Sequence, residues 1–335
     1  MFVADGTGRV RALAMSNGRE RWSTLADPTG RILGGNLLVR GGVLIALGAF
    51  EVIGMNTSDG VVRWRYQPPV DSLVQPLRPG YLGLSRMDAD ERTVFVPAWG
   101  ASVSALDIQT GALRWTWGTG DTTGFRSGSN GVRVHGDTLY ATAWHFTNRL
   151  GGLSEPWLLA LDKATGRELW RKTFLAYTSG VAVEGSPAVH GDLVIFAAEG
   201  GHEYAVNRFT TELVWWFNRR AMWSTISQTE LFDGVAYHDG GDEHIYALDA
   251  ATGRQLWKGN YNGNARDLLI TERRVYVPGG ARTMTVLDRR TGAVVTRLTD
   301  PTGDILHGLF GAPGAYSEGR VFFGVSNGAA CFREP

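Results

Sequence analysis

The 335-residue chain has a single cysteine, Cys331, and no run that approaches the roughly 18 apolar residues of a membrane-spanning helix. An intrachain disulfide is therefore excluded, and cysteine usage does not reveal the redox compartment. The chain also has no net charge, because its 33 Lys and Arg balance its 33 Asp and Glu. Nucleic-acid binding needs a basic stripe, and none is present. We predict no transmembrane segment and no nucleic-acid partner.

The N-terminus lacks the features of a signal peptide. Met1–Gly6 resembles a strand and a turn, with neither a charged n-region nor an apolar h-region. Either the protein is cytosolic, or a targeting segment was removed or lies outside this chain.

One short phrase, ending in tryptophan, recurs along the chain. Its intervals are about 40 to 55 residues, which is typical of repeat architectures. The clearest copies are SALDIQTGALRW, LALDKATGRELW and YALDAATGRQLW, which end at Trp115, Trp170 and Trp257. Looser copies end at Trp22, Trp64 and Trp215, a seventh ends without tryptophan at Thr296, and a partial copy begins at Ala330.

Each copy forms the second half of a four-strand unit. In the stretch from Thr225 to Trp257, short β-rich runs alternate with Asp-Gly, Gly-Gly and Thr-Gly turns. No segment between them has the length or period of a crossover helix. Repeated antiparallel sheets of this kind predict a β-propeller. We predict one all-β domain over residues 1–335, with eight four-stranded blades of which the first and last are incomplete; seven blades are the alternative.

The repeated residues have structural explanations. The Asp of each phrase can accept backbone amides in an Asx-turn, and the Gly supplies the positive φ of a short hairpin. Thr211 replaces that Gly in one copy, so we expect strain there. The tryptophans are predicted to cover the turn of the neighbouring blade and to donate an indole N–H to a carbonyl. This structural role is assigned to Trp22, Trp64, Trp115, Trp170, Trp215 and Trp257.

The phrase A-x-D-x-x-T-G-x-x-x-W, followed by a Gly/Pro-marked strand and V-Y/F-V, resembles the tryptophan-docking motif of pyrroloquinoline-quinone (PQQ)-type propellers. The resemblance extends from Phe2 to Phe332. That superfamily includes quinoprotein alcohol dehydrogenases and the non-enzymatic outer-membrane assembly lipoprotein BamB. The resemblance specifies a fold and leaves the function open, because functional sites are grafted onto folds.

The chain lacks cysteine features that the resemblance implies for the enzymes of this superfamily. By resemblance, they stack the quinone between a tryptophan and a ring of two adjacent disulfide-linked cysteines, and they hold Ca²⁺ with Glu, Asn and Asp. This chain has one cysteine and no Cys-x-x-Cys-His haem motif. We predict no catalytic, cofactor-binding or metal-binding residues and no cofactor; PQQ and calcium belong to the alternative of a degenerate quinoprotein dehydrogenase.

Ligand sites in such propellers gather where the second-to-third and fourth-to-first strand connections emerge. Non-repeating residues on this face are the candidates for binding: Trp99, Trp144, His145, His202 and His238. For Trp99 and Trp144, packing at the channel mouth is favoured over an aromatic binding surface. The segment from His238 to His244 holds two His and three carboxylates, which permits a metal site. A solvated polar turn is the favoured interpretation.

The sequence therefore predicts a BamB-like, non-enzymatic propeller that binds a protein partner or a small ligand through its loops. Besides the dehydrogenase, a ligand-sensing domain of a larger receptor or kinase is an alternative. We expect a monomer, exported to the periplasm or the cell exterior by family resemblance.

Overall fold

All the regular structure in the described part of the chain is β-strand. The computed structural model describes residues 1–4, 7–28, 37–48, 50–68, 86–98, 102–118, 127–146, 154–174, 185–198, 202–218, 228–261, 268–278, 283–299, 314–325 and 328–335. These residues form thirty strands in eight antiparallel sheets, numbered here as blades 1 to 8. They contain no helix that is long and apolar enough to cross a membrane.

Blades 1 to 4 hold the first fifteen strands, and within each blade consecutive strands are neighbours. Their bounds are β1 (Phe2–Ala4), β2 (Arg9–Leu13) and β3 (Glu20–Leu25) in blade 1; β4 (Leu38–Arg40), β5 (Val43–Leu47), β6 (Val52–Asn56) and β7 (Val62–Tyr66) in blade 2; β8 (Asp88–Ala89), β9 (Thr93–Ala98), β10 (Ser102–Asp107) and β11 (Leu113–Gly118) in blade 3; and β12 (Ser127–His135), β13 (Thr138–Phe146), β14 (Ser154–Asp162) and β15 (Glu168–Thr173) in blade 4.

Blades 5 to 8 continue the same order. They comprise β16 (Ala188–His190), β17 (Leu193–Ala198), β18 (His202–Asn207) and β19 (Leu213–Asn218) in blade 5; β20 (Glu230–Phe232), β21 (Val235–Asp239), β22 (His244–Asp249) and β23 (Gln255–Asn260) in blade 6; β24 (Leu269–Ile270), β25 (Arg274–Pro278), β26 (Thr283–Asp288) and β27 (Val294–Thr299) in blade 7; and β28 (Ala315–Ser317), β29 (Arg320–Val325) and β30 (Gly328–Arg333) in blade 8.

The eight blades form the ring of a β-propeller, so the prediction of eight blades is confirmed and the alternative of seven is wrong. A buried hydrophobic cluster lies between each pair of consecutive blades, from blades 1 and 2 to blades 7 and 8. Blades 8 and 1 meet where Arg320 Nη1 donates to the Met15 carbonyl, at 3.3 Å. Among the described strands, blades 1 and 8 have three and the others four.

The six repeat tryptophans make the same contact. Each sits on the outermost strand of its blade, and its indole Nε1 donates to a backbone carbonyl in the strand three–four turn of the next blade. The acceptors are Thr57, Ile108, Lys163, Arg208, Ala250 and Arg289, at 2.8 to 3.2 Å. In blade 7, Thr296 replaces the tryptophan, and residues at the C-terminus make hydrogen bonds to this blade. Thr271 Oγ1 donates to Glu334 Oε1 at 2.6 Å, and Arg274 Nε donates to the Pro335 carbonyl at 3.1 Å.

The repeated turn has the predicted geometry. Asp107 Oδ1 accepts the backbone amides of Gln109 and Thr110, both at 2.9 Å, which is an Asx-turn. The glycine that follows, Gly111, has a φ of +70°. A Cβ added there would lie 2.6 Å from Cδ2 of Trp64, so the turn needs glycine for conformation and for space.

Thr211 occupies the equivalent position of blade 5 with a φ of +60°, so the predicted strain is present. We expect Thr211→Gly to raise the free energy of unfolding by about 1 kcal/mol, since relief of the left-handed conformation outweighs the greater freedom of glycine in the unfolded chain. Urea denaturation measures the change. The matched reverse variant in blade 6, Gly253→Thr, should destabilise the protein, because an added Cβ would lie 2.6 Å from Trp215. Equal stability of all three proteins would contradict the argument.

Candidate binding site on the loop face

The loop face is the side of the ring where second-to-third and fourth-to-first strand connections emerge; the turn face is the other side. Of the five predicted binding residues, the structure places Trp144 at the end of β13, His202 at the start of β18 and His238 near the end of β21. All three positions are at loop-face strand ends. Trp99 lies outside the described residues. His145 belongs to β13, but its side chain is also outside them.

Trp144 is an interior residue. It is only 3% exposed and belongs to the hydrophobic cluster between blades 4 and 5, with Leu158, Phe174 and Phe196. This agrees with the packing interpretation of Trp144. It therefore stabilises the blade contact rather than lining an open surface.

His238 forms the centre of a buried polar cluster that joins blades 5 and 6. Its side chain is fully buried and its Nδ1 makes an ion pair with Oε2 of Glu203, which is also fully buried. Thr229 Oγ1 donates to the other carboxylate oxygen of Glu203, Oε1, at 2.9 Å. The His238 ring lies parallel to the ring of Tyr246, its cross-strand partner, with centroids 5.7 Å apart. Two elements distant in sequence are thereby fixed to each other at the loop face.

The interpretation of the segment from His238 to His244 as a solvated turn is wrong for its first three residues, which are buried. His238 and Asp239 are both fully buried, because the start of β18 covers them from the neighbouring blade. Asp239 accepts the amide of Gly241 at 3.0 Å, which begins the hairpin loop. Only the tip of the loop, from Gly241 to His244, is partly exposed. The segment is thus an anchored hairpin rather than a free polar loop.

The tip of this hairpin has its own electrostatic network. Asp242 Oδ2 accepts the Tyr246 hydroxyl at 2.8 Å and the Lys258 ammonium at 2.9 Å. Burial of Asp242 opposes its ionisation, but these two hydrogen bonds outweigh burial, and the pKa of its carboxyl is lowered. Burial raises the pKa of the Tyr246 hydroxyl, and the nearby Asp242 carboxylate adds to that increase. The network holds the loop in one shape next to the buried His238.

The described residues contain no cluster of metal-ligating side chains. Within the ranges that the structure describes, no three His, Cys, Asp or Glu side chains converge in a way that could hold a metal ion. His238 and His244 lie at opposite ends of the hairpin, and His238 is committed to Glu203. The quinone clamp needs two adjacent cysteines, whereas the single Cys331 lies exposed on β30.

Two residues of this region were missed by sequence reasoning, namely Glu203 and Trp216. Glu203 could have been found as a carboxylate directly before the apolar run Tyr-Ala-Val of its strand, because a charge in such a strand is normally paired. Trp216 directly follows the repeat tryptophan of blade 5. It is 54% exposed and lies 5.6 Å from the ring of His202, which is itself 7% exposed beneath it. The predicted binding residue His202 is thus covered by an unpredicted aromatic.

Comparison with known proteins agrees with this architecture. A family profile described as outer membrane protein assembly factor BamB matches residues 1–143, 101–231 and 227–334. The chain belongs to this family. Its sequence is 23% identical to BamB of Yersinia pestis in an alignment 300 positions long that covers 75% of this chain and 72% of that protein. It is 35% identical to BamB of Escherichia coli strain K12 over 85 residues, only 23% of this chain and 22% of that relative.

Similarity also extends to quinoproteins. The chain is 30% identical to quinohemoprotein alcohol dehydrogenase of Comamonas testosteroni over 125 residues, 35% of this chain and 16% of that enzyme. Among solved structures, BamB from Moraxella catarrhalis superposes with a TM-score of 0.71 at 17% identity and covers 99% of this chain and 92% of that one. A europium-containing methanol dehydrogenase gives 0.67 at 12% identity, covering 90% of this chain and 76% of the enzyme. These two structural likenesses show the shared fold.

Proposed function

We propose that the chain is a non-enzymatic, protein-binding propeller that acts in outer-membrane protein assembly, exported like the relatives whose names state that role. The observation that carries the proposal is the BamB family match across nearly the whole chain. Loops anchored on a rigid scaffold are the usual carriers of binding function. The hairpin fixed by His238 and Glu203 supplies such a loop on the loop face.

The proposal is tested in the native cell. Deletion of the gene is expected to lower the amount of β-barrel proteins in the outer-membrane fraction, measured by quantitative mass spectrometry, and the wild-type gene should restore it. Genes that carry His244→Ala, at the loop face, or Trp99→Ala, at a binding residue predicted from the sequence, should restore the β-barrel proteins less. The gene with the turn-face variant Arg92→Ala should restore them fully. Unchanged β-barrel levels in the deletion strain would refute the proposal. Equal rescue by all variants would refute the choice of face.

A degenerate quinoprotein dehydrogenase is the second candidate, favoured by the match to the Comamonas testosteroni enzyme. Incubation of the purified protein with PQQ and Ca²⁺ and then with an alcohol and a redox dye distinguishes the two. We expect no dye reduction. Stoichiometric quinone uptake with turnover would establish the enzyme and contradict our proposal.

A further inference from the structure

The outermost strand of blade 5 differs from the other outermost strands. An outermost strand presents unpaired backbone N–H and C=O groups, and natural proteins commonly place charged side chains there to prevent pairing with another chain. The strands β3, β7, β11, β15, β23 and β27 each contain at least one Arg, Lys or Glu. β19, with the sequence LVWWFN, contains none. Among the described outermost strands, β19 therefore lacks this protection.

The residue after the repeat tryptophan shows the difference most clearly. In blades 2, 4 and 6 this residue is a cation that pairs with a carboxylate: Arg65 with Glu51, Arg171 with Glu168 and Lys258 with Asp242. Blade 5 has Trp216 instead, 54% exposed, and the side chains of Val214 and Leu213 are 50% and 44% exposed. A large apolar surface thus lies directly on a strand edge that no described strand pairs with.

This apolar surface faces the blade 4 side. Trp215 points to blade 6, where its indole donates to the Ala250 carbonyl, so Trp216, the next residue in regular register, points the opposite way. On that side, Nζ of Lys172, on β15 of blade 4, donates a hydrogen bond to the Thr211 carbonyl of blade 5 at 2.5 Å. Within the described residues, no carboxylate lies within 4.0 Å of this ammonium group. A positive charge that no described carboxylate neutralises therefore lies beside the start of β19.

We propose that β19 is a docking edge for an extended segment of a partner protein. The segment adds a fifth strand to blade 5, places an apolar side chain against Trp216, and directs a carboxylate to Lys172. Strand addition of this kind draws affinity from main-chain hydrogen bonds and specificity from alternate side chains. This site lies on the outer rim of the ring, next to the loop-face residue His202. It is argued from the edge of β19 alone and does not depend on the function proposed above.

A synthetic peptide tests the docking edge on the whole protein. The probe has about ten residues, alternates Val or Leu with Thr, and carries an acidic residue at the end that reaches Lys172. Binding is followed by fluorescence anisotropy of a dye on the peptide. Methylation of alternate backbone nitrogens removes the donors that pair with β19 and should weaken binding about tenfold or more. Replacing the acidic residue of the probe by Lys should weaken binding about threefold.

Protein variants locate the binding to β19. Trp216→Lys places a charged side chain on β19 and should weaken binding of the probe about tenfold. The control variant Leu256→Lys, on β23 of blade 6, should bind the probe as the wild type does. Circular dichroism and thermal unfolding confirm that both variants are folded. Absence of probe binding to the wild type, or binding that neither N-methylation nor Trp216→Lys weakens, would overturn the proposal. So would a wild-type dimer in sedimentation that Trp216→Lys abolishes, because the occupant would then be a second copy of this chain.

Discussion

Replacing Trp215 by alanine is expected to lower the free energy of unfolding by about 3–5 kcal/mol, the usual cost of truncating a buried aromatic to alanine. Trp215 is 8% exposed, and its ring lies against Gly253 of blade 6, where an added Cβ would be 2.6 Å away. Its removal opens a cavity between blades 5 and 6 and leaves the Ala250 carbonyl without its indole donor. Urea unfolding followed by circular dichroism and fluorescence measures the loss.

The adjacent residue supplies a matched control. Trp216→Ala removes the same side chain from the same strand, but this side chain is more than half exposed, so we expect a loss of about 1 kcal/mol or less. Comparable losses for the two variants would contradict the assignment of Trp215 to the blade contact. If the unfolding curves of Trp215→Ala by the two methods separate, the ring is opening one blade at a time, as repeat proteins can.

His238→Ala should destabilise the protein by about 1–3 kcal/mol, because it removes the imidazole that contacts the buried Glu203 carboxylate. The hydroxyl of Thr229 remains as a hydrogen-bond donor to Glu203 but supplies no charge. Chemical denaturation of the variant and the wild type measures the difference.

A double variant tests whether the lost stability comes from the contact between Glu203 and His238 or from either residue alone. Glu203→Met combined with His238→Phe replaces both polar partners by apolar side chains of similar volume, so it should recover most of the stability lost in His238→Ala. For comparison, Arg114→Ala breaks an exposed ion pair with Asp107 and should cost about 0.5 kcal/mol. If the double variant is less stable than His238→Ala, the pair is not the source of the loss.

The repeated phrase was enough to predict most of the fold. The spacing of the phrase gave the number of blades, and the Asp and Gly of each turn predicted local geometry that the structure shows at Asp107 and Gly111. Even the strained turn at Thr211 was predictable. These features depend on contacts within a few residues, or on one contact that recurs at every blade, so a single sequence contains the necessary information.

The candidate site was predictable only in part. His202 and His238 were recognised as loop-face residues, but the hairpin at His238 was interpreted as solvated. Its burial results from Glu203, which lies in another blade 35 positions earlier and has no counterpart in the repeated phrase. A contact that occurs once between two blades leaves no periodic signal, and only the packed ring brings its two halves together.

Trp215 and Trp216 show the same division at one point of the chain. The sequence by itself determined that this is the outermost strand of a blade, because the phrase ends there. Only the tertiary structure decided that Trp215 is held by blade 6 while Trp216 stays exposed on the rim. The physical reason is that successive side chains of a strand point to opposite faces, and only the neighbouring blades determine which face is covered.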